Sequence, residues 1–253
     1  MNKGFFLTIT LVLLLFFSAC VAEEKPVEKA NGAPSVVDVL NRSESAAQKV
    51  ETYSFNMQGY MCFTGLGSDV CLERFSSNFS WNGAVDRKNQ LIHDIWAGYY
   101  TSTNYSIEAY TSDGVNYANM PGLGWVKNPT PEGFWNRDPI FLLVNLSNAT
   151  STLLPDESIN GVNYYVVSFK LNPLDEAGLP GHLFFDSPYQ VRDADIKEWI
   201  AKDTFLVKKR VMMLRLVKRQ GAVSYINATL DLYDYDKPLN IELTEDAKAA
   251  NHQ

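Results

Sequence analysis

The chain has 253 residues, 46% of them hydrophobic and 20% charged, which supplies a sizeable core and argues against a wholly disordered polymer. Aromatic residues make up 13%, with 14 Phe, 13 Tyr and 5 Trp, a share that suits a strand-rich domain. A net charge of −7 argues against nucleic acid as a partner, because phosphate binding draws on clustered Lys and Arg.

Residues 2–20 read NKGFFLTITLVLLLFFSAC: one Lys near the terminus, an uncharged apolar run from Phe5 to Phe17, then Ser18 and Ala19 before Cys20. This is the pattern of a secretory signal over residues 1–19. The run is shorter than the roughly 20 residues that span a ~30 Å hydrocarbon core, which weighs against a permanent transmembrane helix. Phe17-Ser18-Ala19-Cys20 resembles a lipobox, where cleavage precedes a Cys already linked to lipid, so Cys20 is the expected lipidation site. Ordinary cleavage nearby, or retention of the segment as an anchor, are the alternatives. All three put the mature chain on the extracytoplasmic side, and lipidation would hold it at the cell membrane. Residues 20–34 continue as a charged, Ala-rich stretch closed by Pro34, a tether rather than part of a fold.

From Ser35 to Tyr53 the apolar residues Val36, Val39, Leu40, Ala46, Ala47, Val50 and Tyr53 recur at helical spacing, and Ser35 with Asp38 forms a capping box. The period then switches to two. Tyr53, Phe55, Met57, Met61 and Phe63 share one face of a strand, with Ser54, Asn56, Gln58 and Tyr60 on the other. Cys62 and Cys71 enclose turn residues that would bring two strands back upon each other, and outside the cytoplasm this pair is an expected disulfide.

Further on, Tyr105–Tyr110 and Val115–Asn119 flank a hairpin turn at Ser112-Asp113-Gly114, and a Gly- and Pro-rich loop spans Pro121–Pro131. Asp138-Pro139 marks the start of a second helix, Pro139 to Thr150. Asn160-Gly161 turns into a strand from Val162 to Leu171, and Pro173–Pro188 reads as a loop or irregular insertion. Asp193–Ile200 and Thr204–Val217 form another hairpin. The closing strand Tyr225–Tyr235 points Ile226, Ala228, Leu230 and Leu232 inward. The fold class expected is α+β: a large curved antiparallel sheet, an open half-barrel, wrapped over an N-terminal helix and a mid-chain helix. One domain spans residues 35–246, followed by a tail, 247–253.

Six Asn-x-Ser/Thr sequons, at Asn41, Asn78, Asn104, Asn145, Asn148 and Asn227, exceed the roughly two or three that chance supplies, and are candidate glycosylation sites in an archaeal or bacterial envelope protein. Catalytic chemistry is sparse. No H-E-x-x-H, G-x-S-x-G, P-loop or C-x-x-C pattern occurs. His93-Asp94 is the sole acid-base pair of note, and Asp231, Asp234 and Asp236 lack the Gly and closing Glu of a calcium loop. No enzyme activity, metal or cofactor is therefore expected. The basic stretch Lys208, Lys209, Arg210, Arg215, Lys218 and Arg219 reads as a strand with charges reaching water, contact with anionic head groups being the lesser reading.

The helix running into YSFNMQGYM, the hairpin TSDGVNYANM followed by Gly124-Trp125-Val126-Lys127, and Ile159-Asn-Gly-Val-Asn-Tyr-Tyr165 together resemble the lipoprotein-carrier superfamily. The likeness is to its LolA-like members, particularly the LppX and LprG group of lipid-anchored proteins. It extends over roughly Ser35 to Thr244 and includes Glu198-Trp199-Ile200-Ala201-Lys202-Asp203-Thr204 and the strand ending near Ile241. The resemblance implies an apolar cavity that takes acyl chains. On that footing Val39, Leu40, Phe55, Met57, Met61 and Phe63 are the candidate ligand-facing residues. The expected function is carriage or presentation of a lipid or lipidated molecule by a membrane-anchored protein. The alternative is a surface interaction or sensing module of the same fold, engaging an envelope protein partner without transport.

Overall fold

The computed structural model describes residues 34–64, 71–72, 76–100, 103–130, 149–171, 189–218 and 223–252. The chain divides into Met1–Pro34 and Ser35–Gln253, and every element below belongs to the second unit. Cys20, the signal and most of the tether lie outside the described residues.

Helix α1 spans Val36–Ala47 and opens on the expected capping box. Asp38 N donates to Ser35 Oγ at 3.1 Å and Ser35 N donates back to Asp38 Oδ2 at 3.1 Å, satisfying two end groups that would otherwise lack partners. The helix stops at Ala47, short of the Tyr53 that periodicity alone reaches. Arg87 caps it: Nη1 donates to the carbonyls of Ala47 and Val50, each at 2.8 Å, and turns the chain into the first strand.

The strands are β1 Thr52–Phe63, β2 Ser77–Asp86, β3 Leu91–Tyr100, β4 Thr103–Ser112, β5 Val115–Met120 and β6 Gly124–Pro129, then β7 Ala149–Ile159, β8 Val162–Leu171, β9 Tyr189–Ala201, β10 Val207–Lys218 and β11 Val223–Tyr233. A short helix α2, Glu245–Lys248, and a two-residue strand β12, Asn251–His252, follow. They form one open sheet of order β12-β6-β5-β4-β3-β2-β1-β11-β10-β9-β8-β7. All pairs are antiparallel except β12 with β6. This is the α+β open sheet expected, with the hairpins at Asp113-Gly114 and Asn160-Gly161 where the turn residues put them. Asp113 and Asn160 both adopt positive φ, the conformation a two-residue hairpin turn demands.

Three local expectations change. The Gly- and Pro-rich stretch Pro121–Pro131 contains strand β6, because Gly122 and Gly124 adopt positive φ and fold the chain back onto β5. Ala149 and Thr150, expected to end the second helix, begin β7 and pair with Leu171 and Lys170; the rest of that helix, from Pro139, lies outside the described residues, as does Pro173–Pro188. Residues 247–252, read as tail, complete α2 and pair with the β6 edge through Asn251 and His252. Covering an edge strand in this way removes an open row of backbone donors and acceptors.

The core lies on the sheet face that carries Tyr53, Phe55 and Met57, here called inner. Val39 and Ala47 of α1 join it there, with Leu230, Leu232, Met212 and Ile196 from the strands beyond β1. Each fully buried side chain of this size contributes roughly 1.5 to 3 kcal/mol.

Candidate functional site

Directly opposed residues in antiparallel strands share a face, so the register assigns the inner wall row by row. One row runs Ile107, Trp96, Trp81, Met57, Leu230, Arg210, Glu198, Val167 across eight neighbouring strands, from β4 through β1 and β11 to β8. The next runs Val126, Ala118, Ala109, Asp94, Gly83, Phe55. A third holds Asn116, Thr111, Ile92, Val85 and Tyr53.

The six candidate ligand-facing residues fall together on this side. Val39, Phe55 and Met57 are 0% exposed and Met61 4%, while Leu40 and Phe63 pack against them partly buried. They belong to the core that α1 shares with the strands. The accessible part of the inner wall is further along, on β2 to β5, where sequence periodicity did not pick out the strands β2 and β3. Trp81 and Trp96 are partly buried there. Trp81 meets Phe55 edge-on with ring centroids 4.7 Å apart, Phe79 stacks on Trp96 at 5.4 Å, and Trp96 Nε1 donates to the Tyr105 hydroxyl at 3.0 Å. Gly83 is required: a Cβ there would come within 2.6 Å of the Phe55 ring. The alternation of Phe79 and Trp81 in β2 was the signal available in the sequence.

Two ionisable features sit in this apolar wall. Arg210 and Glu198 are buried side by side, with Arg210 Nη2 and Nε both 2.6 Å from Glu198 Oε1. Asp94 faces inward beside Trp81, whose side chain hydrogen-bonds it. Burial pushes its carboxyl up to about 7, the Trp81 bond opposing this only in part.

The sequence pair His93-Asp94 is split by the pleat. His93 points outward, where its Nε2 lies 3.0 Å from Glu108 Oε1 and its ring stacks on Tyr110 at 4.4 Å. The Tyr110 hydroxyl also donates to Glu108 Oε1 at 3.0 Å; burial first, then that bond, raises its pKa to about 12. The outer face of β1 to β4 holds an open groove of about 930 Å³ lined by Gln58, Asn78, Ser80, Ala97, Asn104 and Ser106 among others. Small side chains in the row Ser80, Ala97, Ser106 create it.

Cys62 and Cys71 form a disulfide with Cα atoms 5.6 Å apart, beside an antiparallel bridge between Thr64 and Cys71. Asn41, Asn78, Asn104 and Asn227 are all exposed, and Asn78 and Asn227 both lie opposite Tyr60; Asn145 and Asn148 lie outside the described residues. The basic stretch is tied into the fold. Lys209 lies over Trp199 and Lys208 over Tyr235, Arg215 pairs with Asp193 at 3.4 Å, and Arg210 is buried on Glu198. Asp234 pairs with Lys237, and Asp236 accepts from the Glu51 amide at 2.8 Å.

No protein-family model and no curated protein sequence matches this chain. Solved structures do. The lipoprotein LppX of Mycobacterium tuberculosis is 13% identical, and the match covers 82% of this chain and 100% of LppX with a TM-score of 0.50. LprF from Mycobacterium bovis is 12% identical over 81% of this chain and 94% of its own, with a TM-score of 0.48. At the level of fold, the open antiparallel sheet with its N-terminal helix is similar to that of the lipoprotein LppX, in agreement with the resemblance read from the sequence.

Proposed function

We propose that this protein is an extracytoplasmic lipoprotein, anchored through lipid on Cys20, that holds an apolar ligand against the inner wall of its sheet for carriage or presentation at the membrane. It acts by binding alone, without catalysis or cofactor. The observation that carries this reading is the aromatic wall of Trp81, Trp96, Tyr105 and Phe79, turned to the inner side of a sheet that does not close. Amphipathic aromatic rings suit a surface that meets both acyl chains and water. Each buried CH₂ of a ligand would contribute roughly 0.8 kcal/mol, so a single acyl chain suffices for useful affinity. Exposed sequon asparagines on the outer face and on α1 are compatible with a glycosylated surface that leaves the inner wall clear.

Native mass spectrometry of the protein purified from its own membranes tests the reading. The expected spectrum shows a lipid adduct on the folded chain and, after digestion, an acylated N-terminal peptide beginning at Cys20. A spectrum of bare protein, together with no uptake of a pyrene-labelled fatty acid, would count against ligand carriage and favour the interaction module.

A further inference from the structure

Asp94, Thr111 and Asn116 stand on three successive strands of the inner wall. Thr111 is directly opposite Asn116, and Asp94 is its diagonal neighbour, two residues along β3 from the Ile92 that Thr111 faces. Direct neighbours of this kind lie about 5 Å apart and diagonal ones about 7 Å. Beside them, in the row of Asp94, come Ala109 and Ala118, whose single methyl groups leave the wall low. Two alanines and three polar groups thus adjoin one another on the inner wall, next to the row of Trp81 and Trp96.

Asn116 Oδ1 is shut away from solvent and has no hydrogen-bond partner. An unsatisfied buried acceptor is costly, so such a group ordinarily marks a place that something else completes. Asp94 is satisfied on one side by Trp81, which leaves carboxyl lone pairs over. Asn116 therefore calls for a donor, and Asp94 keeps acceptor capacity in either protonation state. Thr111, 4% exposed between them, can give or take a proton.

We propose that this trio binds the hydroxyl-bearing neutral head of an amphiphile whose acyl chain lies along the aromatic wall; the proposal rests on the reading of that wall as the ligand-facing surface. A glycerol-like or sugar head supplies two or more donors at the spacing the trio presents. A phosphate or carboxylate head supplies acceptors where Asn116 Oδ1 calls for a donor, and is disfavoured there. Burial raises the Asp94 carboxyl toward neutrality, which keeps the site from being a fixed anion and suits it to a neutral head rather than to an ammonium group.

The test compares two probes with the same chain, 1-monopalmitoylglycerol and methyl palmitate, as competitors for a pyrene-labelled acyl chain bound to full-length, lipid-stripped protein. Wild type is expected to prefer the monoacylglycerol about tenfold or more, the discrimination of one or two well-made hydrogen bonds. In N116L and D94L that preference collapses to about twofold while methyl palmitate competes as before. D94N, which keeps shape and a partner for Trp81, retains part of it and guards against loss through misfolding. Equal competition by both probes in wild type, or an undiminished preference in N116L and D94L, overturns the proposal while leaving apolar binding intact. If neither probe competes although the protein is folded, the apolar-ligand reading fails as well.

Discussion

Replacing Arg210 by Met isolates the most consequential electrostatic feature of the fold. The guanidinium is 1% exposed and Glu198 5%, and in their cross-strand row they stand between Leu230 and Val167. Two contacts of 2.6 Å hold them together. Taking such charges out of water is expensive, and the pair offsets this only while both members are present. R210M leaves a carboxylate facing Met57-side core residues and is expected to lose about 3 to 5 kcal/mol. For a domain of this size that corresponds to roughly 6 to 20 °C in melting temperature. The double variant R210M/E198L fills the same volume without charge and should return to within about 1 kcal/mol of wild type or exceed it. Urea unfolding at pH 7, with the slope compared among the three variants, measures both numbers. A loss under about 1 kcal/mol in R210M at unchanged slope would show that water reaches the pair and would refute the argument. Register shifts flank this contact, between Val207 and Lys209 and between Arg215 and Leu216, so the pair also pins β10 against β9 where the ladder is least regular.

Asp94 makes stability depend on pH with a sign opposite to that of a salt-bridged acid. Its folded pKa, raised from 3.8 to about 7, means the native state keeps a proton that the unfolded chain releases. The stabilisation is complete below about pH 4 and is lost as pH rises toward and through 7; the full shift is worth about 4 kcal/mol, nearer 2 after partial solvent access is allowed for. D94N should flatten this dependence and be the more stable protein at pH 8, whereas parallel curves for the two proteins from pH 4 to 8 would rule it out. Reducing the Cys62–Cys71 disulfide, or replacing both by Ser, frees a loop closed over a separation of 9 residues and should lower stability by roughly 2.5 to 3 kcal/mol in the chain-entropy model. A C62S/C71S variant with an unchanged urea midpoint would contradict that.

Local signals carried much of the fold. The capping box at Ser35, the period-two face of β1, the alternation of Ile226, Ala228, Leu230 and Leu232 and the turns at Asp113-Gly114 and Asn160-Gly161 are all short-range devices, and each appears in place. Where the sequence misled, a distant partner had intervened. Arg87, some 40 residues away, ends α1 at Ala47, and pairing with β5 turns a Gly-rich stretch into β6. Pairing also draws Asn251 and His252 onto the β6 edge.

The candidate site divides in the same way. That Phe55, Met57 and Met61 share a face follows from period two within one strand, and so does the separation of His93 from Asp94 onto opposite faces. Which apolar faces are sealed and which stay accessible depends on what is laid over them. Only the tertiary structure decided that Phe55 and Met57 are sealed in one core with Val39 and Ala47 of α1 while Trp81 and Trp96 remain partly open, and that Asp94, Thr111 and Asn116, up to 22 positions apart in the chain, become neighbours. The physical reason is register: a strand's own alternation names its two faces, but the identity of the residue across from it is set by hairpin turns and long-range pairing that no local pattern encodes.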